Sequence, residues 1–424
     1  MDQRFIDRTK KGFEYERSRE APPPGFPALP PIPAGRYTDP EFLDLETHQL
    51  WRRSWLYACH LDELPGQGSY LNWNKTVSPI VIVRGDDAEV RAFYNVCRHR
   101  GGPLVADASG SIRNGLTCNY HGWRYDLEGN LQALRERRDF GDLDTSCLGL
   151  VSVRCERFGK WVFLNEDPAA PALIDSLGPI ASHWQQLSPG SLRHVASYGF
   201  DIACNMKVML EAFLEVYHLG NVHPQTANRF LDHRATRITL WPNGHSLMVT
   251  PNRDAEWIDP GTVGMDSLPG MGRFPLENNL SYHVFPNLVT PIAPTGFPFL
   301  TFWPTSPRTM RVDCHWFAPD WGEGERHPRW DQRIENFNRI LAEDMELVPR
   351  IQQSLESPGF LGGRLSYQER RIYHWHEELD RRLDAASIPP HLRLEPKLAE
   401  FIEHEPPPTE LAAAAGEPPQ AQGS

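Results

Sequence analysis

The chain has 424 residues, with 43 Lys and Arg against 55 Asp and Glu, a formal net charge of −12 at pH 7. That acidic surplus disfavours a nucleic-acid partner, and no apolar run reaches the ~18 residues of a membrane span. Seven widely scattered cysteines exclude a disulfide-stapled secreted domain; with an N-terminus lacking a signal peptide's apolar stretch, they point to a reducing cytoplasm and mark clustered Cys and His as candidate metal ligands.

Residues 1–35 read as a proline-rich N-terminal arm, since Pro22, Pro23, Pro24, Pro27, Pro30, Pro31 and Pro33 favour extended backbone. In the segment 36–54, Phe42, Leu43, Leu50 and Trp51 recur near helical spacing and predict a helix from Pro40 to Ser54, packed on the larger domain. Short β-rich runs fill 55–166. IVIVRGDDAEVRAFYN predicts a hairpin around Gly85-Asp86-Asp87, a second turn spans Tyr125–Asn130, and Val151–Arg154 and Trp161–Leu164 read as strands. The result is an all-β module of about a hundred residues.

Residues 167–404 read differently. A helix is predicted from Asn205 to Leu219, stopped by Gly220 and Pro224. Strands follow at Ala235–Trp241, Ser246–Thr250, Leu280–Phe285, Phe299–Trp303 and Arg311–Trp316, then a long helix at about Trp330–Leu355. Consecutive strands without helices between them predict an antiparallel sheet, so this domain is α+β. Residues 405–424 lack apolar content and are expected to be a disordered tail.

Two constellations carry chemistry. The β module holds Cys97-Arg98-His99 and, after eighteen intervening residues, Cys118-Asn119-Tyr120-His121. Zinc boxes usually pair like ligands. Here each box has one Cys and one His, which suits a [2Fe–2S] cluster with both thiolates on one iron and both imidazoles on the other. A structural zinc knuckle is the bland alternative. Cys59, Cys147, Cys155, Cys204 and Cys314 have no partner box and read as small buried thiols.

The second constellation lies in NMKVMLEAFLEVYHLGNVHP, apolar nearly all round and therefore buried. Buried carboxylates are costly unless paired or metal-bound. Glu211, Glu215 and His218 share one predicted helical face, and Gly220 lets the chain bring His223 back to it. Two histidines and one carboxylate would leave metal positions open for oxygen and substrate. For a further ligand, Phe337, Ile340, Leu341, Val348 and Ile351 trace the apolar stripe of the long helix; Asp344 falls on that stripe, with adjacent Glu343 its rival.

CRHRGG…CNYHGWRYDLEGNL resembles the cluster loops of Rieske non-haem iron ring-hydroxylating oxygenases, large (α) subunit, although Asn119 stands where the family more often has proline. E-x3-E-x2-H-x4-H is similar to the family's mononuclear iron motif. Glu215 stands where many members have aspartate and those acting on quaternary ammonium compounds have glutamate. EDMELVPRIQQSL resembles the segment bearing the ligand aspartate, and YTDPEFLDLETHQLWRRSW and FPNLVTPIAPTG extend the resemblance over about residues 36 to 400.

The resemblance implies a Rieske β-sandwich beside a helix-grip catalytic domain. It implies a [2Fe–2S] cluster on Cys97, His99, Cys118 and His121, and a mononuclear Fe(II) on His218, His223 and Asp344. It implies a homotrimer, with or without a small β subunit, in which Glu215 bridges subunits by hydrogen-bonding His218 and a neighbour's His121. The implied activity is insertion of oxygen from O₂ into an aromatic or related small organic substrate, or alternatively N-demethylation of a quaternary amine. No G-x-G-x-x-G opens a helix and no four-cysteine ferredoxin spacing occurs. Electrons are therefore expected from a separate NAD(P)H-dependent reductase, directly or through a ferredoxin.

Overall fold

The computed structural model describes residues 3–384 and 386–404, so the tail expected over 405–424 lies outside the described residues. The fold is α+β. The β module is a seven-stranded antiparallel sheet in the order Leu56–His60, Trp161–Asn165, Ser152–Phe158, Val90–Tyr94, Ile80–Arg84, Ser69–Trp73, Ser109–Ser111. A three-stranded sheet, Leu116–Thr117, Arg124–Tyr125 and Leu131–Ala133, packs against it. Strand alternation explains why 80–83 of this strand are apolar without a break, Arg84 alone being charged. Val81 and Val83 face the module's own core with Phe93, Trp123 and Tyr125, while Ile80 and Ile82 face a core shared with the larger domain.

The larger domain is a second seven-stranded antiparallel sheet, in the order Arg193–Ile202, Thr309–Ala318, Phe297–Ser306, Leu288–Ile292, Asn278–Val284, Ser246–Pro251, Arg237–Leu240. We label four helices: α1 (Gln3–Ser18), α2 (Met206–Ala212), α3 (Arg329–Leu355) and α4 (Arg370–Arg382). Leu341 and Val348 of α3 share one core with Met209 and Leu210 of α2 and with Leu300 and Phe302 of the sheet. No helix among the described residues is long and apolar enough to cross a membrane.

Two local expectations are corrected and one is refined. The first part of the expected arm is helix α1, whose buried Phe5, Thr9, Phe13 and Glu16 recur at helical spacing. It docks on the larger domain through Arg17–Asp232 at 3.0 Å and Lys10–Glu277 at 3.6 Å. The helix expected over 40–54 runs without a break from Pro40 to Arg53 but changes pitch along its length, α over Pro40–Leu45, wider over Glu46–Leu50 and tighter over Trp51–Arg53, and its buried Glu46 meets buried Lys207 of α2 at 2.8 Å. The helix expected from Asn205 to Leu219 ends at Ala212, and the chain from 213 to 218 is irregular until a short turn, Leu219–Val222.

Candidate metal centres and substrate cavity

The two Cys/His boxes form two loops of the same construction. In the first, Cys97 N donates to Gly102 O at 2.8 Å and Gly101 N to Cys97 O at 3.0 Å. In the second, Cys118 N donates to Trp123 O and Gly122 N to Cys118 O, both at 2.9 Å. Gly101 and Gly122 occupy the same position in each loop with φ of 75° and 73°, a conformation that favours glycine. A Cβ on Gly102 would stand 3.0 Å from the Cys118 sulfur, so only glycine leaves that approach open.

Both cysteines are buried, and both histidines sit half-exposed at the tip of the module. The Nδ1 atoms of His99 and His121 converge at 3.1 Å, so both rings present the same nitrogen to one place. His99 stacks flat on Trp123, with ring centroids 4.9 Å apart. Tyr125 was not singled out by sequence. Its hydroxyl accepts from Arg98 N at 3.0 Å, which leaves its proton for the Cys97 sulfur at 3.4 Å. Burial, then that sulfur, hold the phenol pKa above its usual value.

A single zinc would need all four ligand atoms around one point. Among the described residues, the group of three or more ligating side chains whose donor atoms lie within 4.8 Å of one another is His218, His223 and Asp344, not the Cys/His quartet. The quartet, with a paired imidazole edge and two separately buried sulfurs, fits the two-iron cluster better than one ion.

The second centre is built where α2 stops. Glu215, three residues past the end of α2, folds forward to cap the following turn: its Oε2 accepts from the backbone amides of Tyr217 and, at 3.2 Å, His218. Its Oε1 accepts from His218 Nδ1 at 2.5 Å. The expected Glu215–His218 contact is present, but a capped turn makes it rather than a helical face. Glu211 does not join it. Its carboxylate meets Tyr37 OH at 2.9 Å and His376 Nε2 of α4 at 2.9 Å, and burial pushes its pKa up to about 8.

His223 is the mirror case. Its Nδ1 donates to Glu343 Oε2 at 2.5 Å, and Thr226 Oγ1 donates to the same oxygen at 2.6 Å. With both Nδ1 atoms occupied, both Nε2 lone pairs are free to face Asp344, whose Oδ1 lies 3.2 Å from His223 Nε2 and 3.8 Å from His218 Nε2. Asp344 and Glu343 thus divide their work: Asp344 joins the converging donors, and Glu343 sits behind one of them. Burial disfavours a charged His223, yet Asp344 and Glu343 outweigh it and hold its pKa up. A corner that raises a buried imidazole in this way attracts positive charge, which fits a divalent cation.

These residues stand at one part of a cavity of about 760 Å³, lined also by Phe230, Trp257, Phe337 and Trp316. The volume suits a small organic molecule.

Comparison with known proteins places this geometry. Residues 54–145 match the family described as Rieske [2Fe-2S] domain, and residues 189–385 match the ring hydroxylating alpha subunit (catalytic domain). The chain belongs to the Rieske oxygenase α subunits, a family whose members hold a Rieske cluster and a mononuclear iron. It is 35% identical over 195 residues to the carnitine monooxygenase oxygenase subunit of Escherichia coli (strain K12), covering 46% of this chain and 52% of that protein. It is 36% identical over 224 residues to the large oxygenase component of the 2,4-dinitrotoluene dioxygenase system of Burkholderia sp. (strain RASC), covering 50% and 49%. The chain thus spans about half the length of these relatives. The fold is similar to that of a quaternary ammonium Rieske monooxygenase solved with L-carnitine, with TM-score 0.71 and 24% identity over 86% of this chain and 100% of that one.

Proposed function

We propose that the chain is the oxygenase component of a multicomponent Rieske non-haem iron oxygenase, inserting oxygen from O₂ into a small organic substrate. The convergence of His218 Nε2, His223 Nε2 and Asp344 Oδ1 beside the 760 Å³ cavity carries this reading. In it, Cys97, Cys118 and the Nδ1 atoms of His99 and His121 hold the [2Fe–2S] cluster, and the convergent trio holds Fe(II). When bound, the iron activates O₂ and the cluster supplies electrons one at a time.

The protein's own part is to orient and shield. Glu215 and Glu343 fix the two imidazole tautomers so that each Nε2 offers a lone pair to the metal. The aromatic lining keeps water from the reacting carbon. Glu215 also serves between copies. Its carboxylate has about four acceptor positions, so one remains for His121 of a neighbouring copy in a homotrimer. Electrons come from a separate NAD(P)H-dependent reductase in the cytoplasm.

A second reading narrows the chemistry to N-demethylation of a quaternary amine. Glu215, in place of aspartate, favours it, and so do the carnitine and glycine betaine monooxygenase subunits among the relatives. Substrate-dependent NADH and O₂ consumption with surrogate reductases tests both readings. Hydroxylated product from an arene selects the first and formaldehyde from a quaternary amine the second. Uptake of O₂ that no substrate stimulates, in protein loaded with about three irons per chain, would defeat the proposal.

A further inference from the structure

Outside the metal corner, the ionisable lining of the cavity is Arg229, Arg333, Arg339 and Asp259. Asp259 offsets one arginine, with Oδ2 3.4 Å from Arg333 Nη1. Among the described residues, neither Arg229 nor Arg339 has a carboxylate within ion-pair distance, and Arg339 donates to Asn336 Oδ1 at 3.2 Å. Three arginines against one aspartate make this part of the cavity cationic, in a chain whose net charge is −12. The local excess runs against the composition, so composition does not explain it.

Arg333 is the costly member. It is 7% exposed and lies against Trp316 and Trp330, 5.5 and 5.7 Å from the ring centroids. Its Nη2 donates to Gly296 O at 2.6 Å, and its Nε has no partner. One carboxylate at 3.4 Å, itself 36% exposed, is weak compensation for a desolvated guanidinium. Burial pulls its pKa down to about 10.

Helix α3 sets the scale. Arg333, Asn336, Phe337, Ile340, Leu341 and Asp344 all line the cavity, at intervals that place them on one helical face. At 1.5 Å per residue, Arg333 stands about 16 Å from Asp344 along the axis, and Arg339 about 7 Å. Between Arg333 and Asp344 lie Phe337, Ile340 and Leu341; elsewhere on the wall, Phe230 stacks on Trp257 at 4.1 Å. The helix face therefore runs from the metal corner through an apolar stretch to a cationic end.

We propose that the cavity selects organic anions: Arg333 at the far end of the α3 face takes the carboxylate of the substrate, with Arg229 and Arg339 adding positive charge to the wall, the aromatic stretch takes its apolar or quaternary portion, and the carbon to be oxidised faces the metal corner. This deepens the function proposed above and rests on it. Neutral hydrocarbons and simple cations lose the arginine contacts, and a charge-assisted hydrogen bond forgone is worth about tenfold in affinity or more.

Calorimetric titration of the purified, metal-loaded protein tests this with two matched pairs. The first is 4-phenylbutanoate against 4-phenylbutanamide. The second is 4-(trimethylammonio)butanoate against its methyl ester. In at least one pair the carboxylate is expected to bind about tenfold tighter or more. That preference should shrink in Arg333→Gln and in the exposed double variant Arg229→Gln/Arg339→Gln, which guards against failure of the buried site to fold. Equal affinity within both pairs, no binding of either carboxylate at millimolar concentration, or a preference unchanged in both variants would overturn the proposal. A carboxylate preference in protein that never consumes O₂ would uphold this inference and sink the oxygenase reading. Turnover of a neutral arene without the preference would do the reverse.

Discussion

The two proposed metal corners are assembled on different length scales. Each cluster loop is closed within six residues by the same pair of backbone hydrogen bonds, and each turns at a glycine of positive φ. What the loop needs is therefore local, and the β module has only to bring two copies of it together. The second corner takes two imidazoles from the irregular stretch after α2 and its carboxylate from α3, more than a hundred residues later. It exists only when α3 is docked. A local site is robust to changes elsewhere in the fold, and a site made by docking fails when packing shifts.

The sharpest way to break this contrast is Cys118→Ser. Under the proposed ligation it should abolish the visible absorption and remove two of about three irons per chain, with turnover lost completely. Because the corners share no residue, the third iron should stay, as iron analysis together with the visible spectrum would show. Loss of all iron from a folded protein would mean that the corners are not independent.

Asp344→Ala is the reciprocal change, expected to spare the cluster spectrum while removing the mononuclear iron and activity. Glu343→Gln sharpens it. A group behind a ligand tunes rather than holds, so iron should be retained with activity or metal affinity reduced ~10–100-fold. If Glu343→Gln empties the site and Asp344→Ala does not, the two acids have been assigned in the wrong order.

Glu215→Gln probes the residue that belongs to both scales, capping a local turn and aligning His218. Both metal sites should persist and the cluster should still accept electrons from its reductase. Turnover should fall ~10–100-fold, the range for disturbing a ligand's hydrogen-bond partner. Wild-type rates of single-turnover electron transfer in this variant, or a native protein that is monomeric at working concentration, would remove the inter-subunit role.

The same contrast explains what was legible in the sequence. The four residues proposed to hold the cluster stand in two short boxes whose glycines announce the loops, so the loops could be read from the chain alone. Asp344 was legible through its stripe, since Leu341 and Val348 bury the same face. Glu343 was legible only as a rival, because serving the far nitrogen of His223 is a tertiary relation. Glu215 was read as helical, because a carboxylate folding forward onto the amides of 217 and 218 leaves no mark in propensity or periodicity. Helix α1 was hidden differently: its docked side carries Phe5 and Phe13 with Ile6 partly buried beside them, and a helix that sparse depends on docking. The arginines around the cavity come from Arg229 in one loop and from Arg333 and Arg339 on α3, and no spacing links them.

The smallest expected effect concerns Glu211, which the sequence places beside Glu215 and the fold sends away from it. His376 Nδ1 accepts from Arg36 Nε at 3.1 Å, so its proton sits on Nε2 and donates to Glu211 at 2.9 Å. Burial nevertheless dominates, and the carboxyl titrates at about 8 rather than 4.5. Between those values the folded chain holds a proton that the unfolded chain has released. Stability therefore falls as pH rises through this window, by at most ~1.4 kcal/mol per pH unit. Buried histidines push the other way at lower pH: His245 and His374 are held near 4, so unfolding takes up protons below about 6.5 and stability is lost as pH falls. A raw stability profile mixes these slopes. The difference between wild type and Glu211→Gln isolates one of them, since glutamine keeps an acceptor for His376 and a polar partner for Tyr37 without titrating. Urea midpoints measured from pH 5 to pH 8 should converge or cross in favour of the variant as pH rises. A difference that stays constant across that range would show that Glu211 is ionised in the folded protein, its charge held by Lys207 and Arg36.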